Sequence, residues 1–229
     1  MALSFDGTND RVDHGDINAI DGTSVLSGAM WYYPEAALQA GLLVGKTAGI
    51  NSDALRVSHG QINTPTATTN FYVFLGIASS DGNNRFGRST SVFTSGVWHH
   101  LAFAYDGAGA TDADKLQMYW NGVAETVDVP NAVLSTAITA NATPVTVGVT
   151  NADTGDLSGR ISNLKIWNAH LSESELQAEM WSFYAKHRDS LILDTADYTT
   201  ATDWSGAGNH GTITDATPGD GPPVPYGGE

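Results

Sequence analysis

Hydrophobic and polar residues alternate along this chain in short runs, each bounded by Gly, Asn, Asp or Ser. A period of two over four to eight residues places side chains alternately on the two faces of an extended strand. The pattern predicts strands at 25–33 (VLSGAMWYY), 41–45, 54–59, 71–77, 92–94, 98–105, 115–120, 123–129, 144–149, 160–167 and 191–193, with the opening residues also extended. In 98–105 (WHHLAFAY), Leu101, Phe103 and Tyr105 fall on one face and Trp98, His100, Ala102 and Ala104 on the other. Apolar groups on both faces predict a central strand. Asn121-Gly122 predicts a two-residue hairpin turn, because both residues tolerate the positive φ it needs. A second turn is expected at 80–84 (SDGNN), and 106–114 reads as a loop.

One segment has helical spacing. Ser172 and Glu175 form a Ser-x-x-Glu capping box, with Leu171 and Leu176 as its staple. Leu176, Met180, Phe183, Tyr184 and His187 then share a face, which predicts an amphipathic helix over 172–187. The fold class expected is all-β: a two-sheet antiparallel sandwich with one short amphipathic helix. Residues 1–215 read as one domain, and the Pro- and Gly-rich residues 216–229 as a C-terminal arm.

Charge narrows the partners. The formal net charge of −15 comes from 25 acidic and 10 basic residues, without a basic cluster. Phosphate binding needs Lys and Arg, so neither nucleic acid nor an anionic membrane is an expected partner. Nineteen of the acids are Asp, the carboxylate of turns rather than helices. No run reaches the roughly 18–20 apolar residues of a membrane span. No signal peptide is visible at the start. With no cysteine, disulfides and thiol chemistry are excluded.

Five segments in order make the chain resemble the laminin-G-like, or concanavalin A-like, jelly-roll family. They are Ala2–Gly7 with Asn9-Asp10, Gly96–Ala102 with Tyr105-Asp106-Gly107, Leu116–Gly122, Gly159–Asn168 leading to Leu171-Ser172, and Asp203–Gly211. The resemblance implies a jelly roll with neighbouring termini and a role in binding glycans, proteins or Ca²⁺. One departure stands out: Ile161-Ser162-Asn163 replaces an Ile-Asp-Glu that the family usually has, so two carboxylates are missing.

Candidate sites follow. Asp203 and Asn209, in a turn rich in oxygen ligands, join Asp6 and Asp10 as an expected Ca²⁺ set if the termini meet. The competing reading is that these Asp and Asn side chains satisfy turn backbones. Trp204, in the same turn, and Tyr226, in the tail, are the aromatics expected to contact a ligand. His99 and His100 point to opposite faces and cannot share one ion from a regular strand. Of six glutamates, three belong to the helix, and no strand presents a pair of carboxylates for glycoside hydrolysis. The function expected is a non-catalytic binding or decoration module on an extracellular or virion surface. Glycans or a neighbouring structural protein are its expected partners, and homo-oligomers are compatible with that role. A secreted Ca²⁺-dependent lectin and a polysaccharide-active enzyme are the alternatives.

Overall fold

A computed structural model of the chain describes residues 1–47, 53–60, 69–75, 86–129, 134–196 and 198–223. The strands are β1 (Ala2–Asp6), β2 (Arg11–Asp13), β3 (Val25–Pro34), β4 (Gly41–Thr47), β5 (Asp53–His59), β6 (Asn70–Leu75), β7 (Phe86–Val92), β8 (His99–Asp106), β9 (Leu116–Trp120), β10 (Val123–Ala124), β11 (Val127–Asp128), β12 (Val145–Gly148), β13 (Ser158–Trp167), β14 (Leu191–Thr195), β15 (Thr212–Thr214) and β16 (Thr217–Gly219). Among the described residues two α-helices, α1 (Asp112–Lys115) and α2 (Glu173–Met180), and a 3-10 turn at Asn18–Ile20 interrupt them.

These strands form two antiparallel sheets of eight. Sheet A runs β10-β9-β8-β3-β13-β1-β16, with β14 paired to the far end of β13. Sheet B runs β11-β7-β6-β5-β4-β12-β2-β15. The main core lies between them: Leu3, Phe5, Met30, Leu101, Phe103, Tyr105, Met118 and Ile161 of sheet A meet Val44, Leu55, Val57, Val73, Val145 and Val147 of sheet B. As the alternation predicts, β8 is central, between β3 and β9. Asn121 and Gly122 take φ of 51° and 78°, and the hairpin they close pairs Trp120 with Val123.

Other elements depart from the sequence pattern. Helix α2 ends at Met180, about half the predicted length, because the backbone after it is drawn into contacts with side chains of the sheet and of α2 itself, described below. The loop expected at 106–114 ends in the single turn α1, capped by a Thr111–Asp114 box. The strand expected at 92–94 is instead Phe86–Val92. The expected turn at 80–84 lies outside the described residues. Within the stretch read as an arm, Thr217–Gly219 adds a strand to β1, pairing Ala2 with Gly219 and Ser4 with Thr217.

A second, smaller core lies on the outer face of sheet A. Ala29, Ala102, Ala104, Tyr119 and Trp167 there receive Leu171, Leu176 and Ala185, so α2 covers one half of that face. The Ser172 hydroxyl accepts the Glu175 N–H, and the Glu175 carboxylate accepts the Ser172 N–H at 2.8 Å, so the capping box forms as the sequence predicts.

Candidate functional site

The chain that leaves α2 is held by side chains rather than by regular secondary structure. Lys165, on the outer side of β13, donates to Glu179 Oε2 at 2.8 Å and to the Ser182 carbonyl at 2.8 Å. The other Glu179 oxygen accepts the N–H groups of Lys186 and His187 at 2.8 and 2.7 Å. Asp194 Oδ2 accepts the Ala185 N–H at 3.1 Å. Two indoles also take part: Trp31 donates to the Met180 carbonyl and Trp167 to the His187 carbonyl. The backbone groups at 182 and 185–187 thus have partners outside a helix, which is why the periodicity of 172–187 does not become four turns.

The Lys165–Glu179 pair is buried, with both side chains 1% exposed. Burial lowers the Lys165 pKa, and the Glu179 carboxylate opposes that shift. Burial raises the Asp194 carboxyl, against the Ala185 N–H that stabilises its charge. Asn163, at a bulge of β13 with φ of 51°, directs its amide at the Ser182 and Phe183 carbonyls. Ser162 Oγ, beside it, lies 2.8 Å from both the Met1 carbonyl and Asn163 Oδ1, and its one proton is shared between them. The two positions where the family's carboxylates are missing therefore carry neutral groups that anchor backbone.

On the outside of this scaffold lie aromatic rings. The exposed aromatics among the described residues are Trp181, Tyr184 and Trp204, at 54%, 51% and 46%. The Tyr184 and Trp204 rings meet edge to face at 5.9 Å, and Phe183 packs on Tyr184 at 5.0 Å. Trp181 packs edge to face on Trp31 at 6.1 Å and lines an open cleft of about 460 Å³ with Asn121, Ser174 and Gln177. Rings with an apolar face beside amide and hydroxyl groups suit a ligand whose faces are apolar and whose edges are polar.

Trp204 is held by the residues read from sequence as calcium ligands. Asp203 Oδ1 accepts the N–H groups of Asp194 and Ser205, and Oδ2 accepts the Ser205 hydroxyl and the Asn209 N–H, at 2.8–3.1 Å. Burial would raise this carboxyl, but the donors from Ser205, Asn209 and Asp194 outweigh it and hold the pKa below its ordinary value. The Asn209 side-chain amide donates to the Ile192 carbonyl, and the Asn209 main-chain carbonyl accepts from His14 Nδ1 at 2.9 Å. The Trp204 N–H donates to the Asp194 carbonyl, while its carbonyl accepts Arg188 Nη2 at 3.0 Å. At the other turn, Asp10 Oδ2 accepts the Asp6 N–H at 2.7 Å, and Asp6 Oδ1 accepts the Thr8 N–H. The two pairs are not gathered into one group: among the described residues no three His, Asp or Glu side chains are placed to hold a metal ion. Tyr226, the other expected ligand contact, lies outside the described residues.

His99 and His100 point to opposite faces, as expected. His99 turns inward, donating from Nε2 to the Thr94 carbonyl and accepting the Trp120 indole N–H at 3.1 Å. His100 turns outward beneath α2 against Trp31, where burial and the nearby Lys165 push its pKa down to about 3. Its Nδ1 has no hydrogen-bond partner among the described residues.

Sequence reasoning found Trp204 but not Tyr184, whose ring meets it. It put Tyr184 on the buried face of a helix and gave Trp181 no role. A clue was present: Trp181, Phe183 and Tyr184 fall within four residues and cannot all share one helical face.

Residues 6–177 match the laminin-G-type family described as the concanavalin A-like lectin/glucanases superfamily. No curated protein matches the chain. Among solved structures, a candidate carbohydrate-binding protein of Bacteroides ovatus is similar at 16% identity and TM-score 0.69, over 94% of this chain and 58% of that one. Domain 4 of the extracellular arabinanase AbnA of Geobacillus stearothermophilus, solved with arabinotriose, aligns at 19% identity and TM-score 0.54, over 78% and 75%. A sialidase CBM40 module of Ruminococcus gnavus, bound to α2,3-sialyllactose, aligns at 16% identity and TM-score 0.51, over 77% and 95%.

Proposed function

The chain belongs to the concanavalin A-like lectin/glucanases superfamily, and from that premise we propose that it is a non-catalytic glycan-binding module. The observation behind this reading is the exposed Tyr184–Trp204 ring pair, together with Trp181 exposed over its own cleft, mounted on a connection fixed by buried ion-pair and Asx contacts. Preorganised rings lose little freedom when a sugar ring lands on them. The solved structures that share the fold include modules crystallised with arabinotriose and sialyllactose, which supports a sugar over a protein ligand. The carboxylates that hold this connection are occupied in holding it. Glu179 and Asp194 are buried at 3% and 0% exposure, and Asp203 is saturated by donors, so none faces a bound ligand as acid or nucleophile. The setting that suits such a module is an extracellular or virion surface, and the arabinanase with a domain of this fold is itself extracellular.

The test is titration of the protein with a panel of soluble oligosaccharides, followed by tryptophan fluorescence and calorimetry. A glycan that binds wild type should bind Trp204→Ala and Tyr184→Ala about tenfold more weakly, the loss of roughly 1.4 kcal/mol expected for one aromatic contact. No reducing ends should appear on prolonged incubation. Release of product would overturn the non-catalytic reading, and unchanged affinity in both variants would move the site elsewhere. Thermal melts in Ca²⁺ and in EDTA measure whether Asp6, Asp10, Asp203 and Asn209 hold a cation.

A further inference from the structure

The half of sheet A's outer face that α2 leaves uncovered has its own constellation. The register of β3 against β13 sets Tyr33 opposite Arg160, and that of β1 against β13 sets Arg160 opposite Ser4. The Tyr33 ring lies 5.5 Å from that of Trp98, which precedes β8, so one row runs Trp98, Tyr33, Arg160, Ser4 across the strands. The Arg160 guanidinium sits 4.4 Å over the Tyr33 ring and donates to Glu35 Oε1 at 3.0 Å. Beyond it opens a cleft of about 510 Å³ lined by Met1, Ser4, Arg160 and residues 217–220. Gly219 keeps this cleft clear: a Cβ there would stand 3.4 Å from Arg160 Cδ and 3.5 Å from Ser4 Cβ.

We propose that this row is a second glycan subsite, in which Tyr33 and Trp98 take the face of a neutral sugar and the Arg160–Glu35 pair reads two adjacent hydroxyls. The proposal rests on the glycan-binding reading above. A guanidinium has five N–H donors and one contact to Glu35 leaves most of them unused, while the carboxylate keeps spare acceptor positions. A vicinal diol offers an acceptor and a donor side by side and so matches both partners at once. The pair is half-exposed, with side chains 25% and 44% accessible, so its worth to folding is small and it is reachable by a ligand. A neutral sugar is favoured over an acidic one. The Arg160 charge is already matched by Glu35, Asp220 lines the same cleft, and the chain as a whole carries −15.

The experiment titrates the full chain with neutral arabino-, xylo-, manno- and cello-oligosaccharides and with oligogalacturonate as the acidic comparison. Wild type, Trp204→Ala, Arg160→Met, Glu35→Gln and Gly219→Val are compared, and melts confirm that each is folded. Binding of a neutral oligosaccharide that falls at least tenfold in Arg160→Met and Gly219→Val, yet is retained in part by Trp204→Ala, supports the subsite. Neutral-sugar binding by wild type that is unchanged in Arg160→Met and Gly219→Val overturns it and leaves the glycan reading standing. Preferential binding of oligogalacturonate lost in Arg160→Met overturns the neutral assignment. If wild type binds no glycan at all, both the reading and the subsite fall.

Discussion

Two halves of one sheet face differ sharply, and a single strand shows why. Along β3 the outward residues run Ser27, Ala29, Trp31, Tyr33. At the small end, Ala29 sits beside Ala102, and α2 comes close enough to bury Leu171 and Leu176 against Trp167. At the large end, Trp31 closes the helix contact and Tyr33 opens onto Trp98 and Arg160. The size of every second residue decides where a helix can dock and where a surface is left for a ligand. The covered half is held by packing and a buried ion pair, and the open half by contacts that contribute little to stability.

The strongest way to break this contrast is to attack the ion pair. Glu179→Ala leaves the Lys165 ammonium buried without its counter-charge and frees the N–H groups of Lys186 and His187. Denaturant unfolding should show a loss of about 3–5 kcal/mol, since a buried charge then lacks its partner. The double change Lys165→Met with Glu179→Leu should recover much of it. Tyr33→Ala, in the open half, should cost far less in the same assay.

Acid offers a smaller perturbation of the same half. His100 beneath α2 has a folded pKa of about 3, below its unfolded value near 6.5. Its neutral form is the folded one, so its contribution is intact above pH 6.5 and is lost as pH falls toward 3. Between pH 7 and pH 5 it should remove roughly 2 kcal/mol. Chemical denaturation at the two pH values, with His100→Leu as the comparison, measures that share as a difference in slope. His59, inside the sandwich with a pKa of about 4, adds a loss of the same sign in both proteins. An identical pH dependence in wild type and His100→Leu would refute the assignment.

The mildest change sharpens the comparison rather than breaking it. Ser172→Ala removes the cap of α2 and should cost about 1 kcal/mol. Affinity at the Arg160 row should change little: Trp98 packs on Trp31 and Met180, but Tyr33, Arg160 and Ser4 are placed by β3, β13 and β1.

What could be read from the chain divides along similar lines. Strands β3, β8, β9 and β13 are apolar-rich runs bounded by turn residues, and their existence follows from that, as the central place of β8 follows from its two apolar faces. The cap of α2 was visible in Ser172 and Glu175, because capping is local. The end of α2 was not, because Glu179 and Lys165 take backbone groups that are close only once β13 is in place. Strands β2, β15 and β16 are three residues each, too short for a period to show. Trp204 stood out by lying in a turn. Tyr184, Trp181 and the Tyr33–Arg160 row depend on which strand lies beside which, and no local pattern records that.

The pairing of β1 and β2 has a consequence for how the chain reaches this state. β1 pairs with β13 and β16, and β2 with β12 and β15. Every strand paired with β1 or β2 therefore lies at or beyond residue 145. A polypeptide growing from the ribosome holds β1 and β2 unpaired until β12 has been made. Such long-range closure is entropically costly and slow. β1 and β2 find their last partners only when β15 and β16 have emerged, and for that interval Leu3, Phe5 and Val12 are apolar groups in need of protection from aggregation.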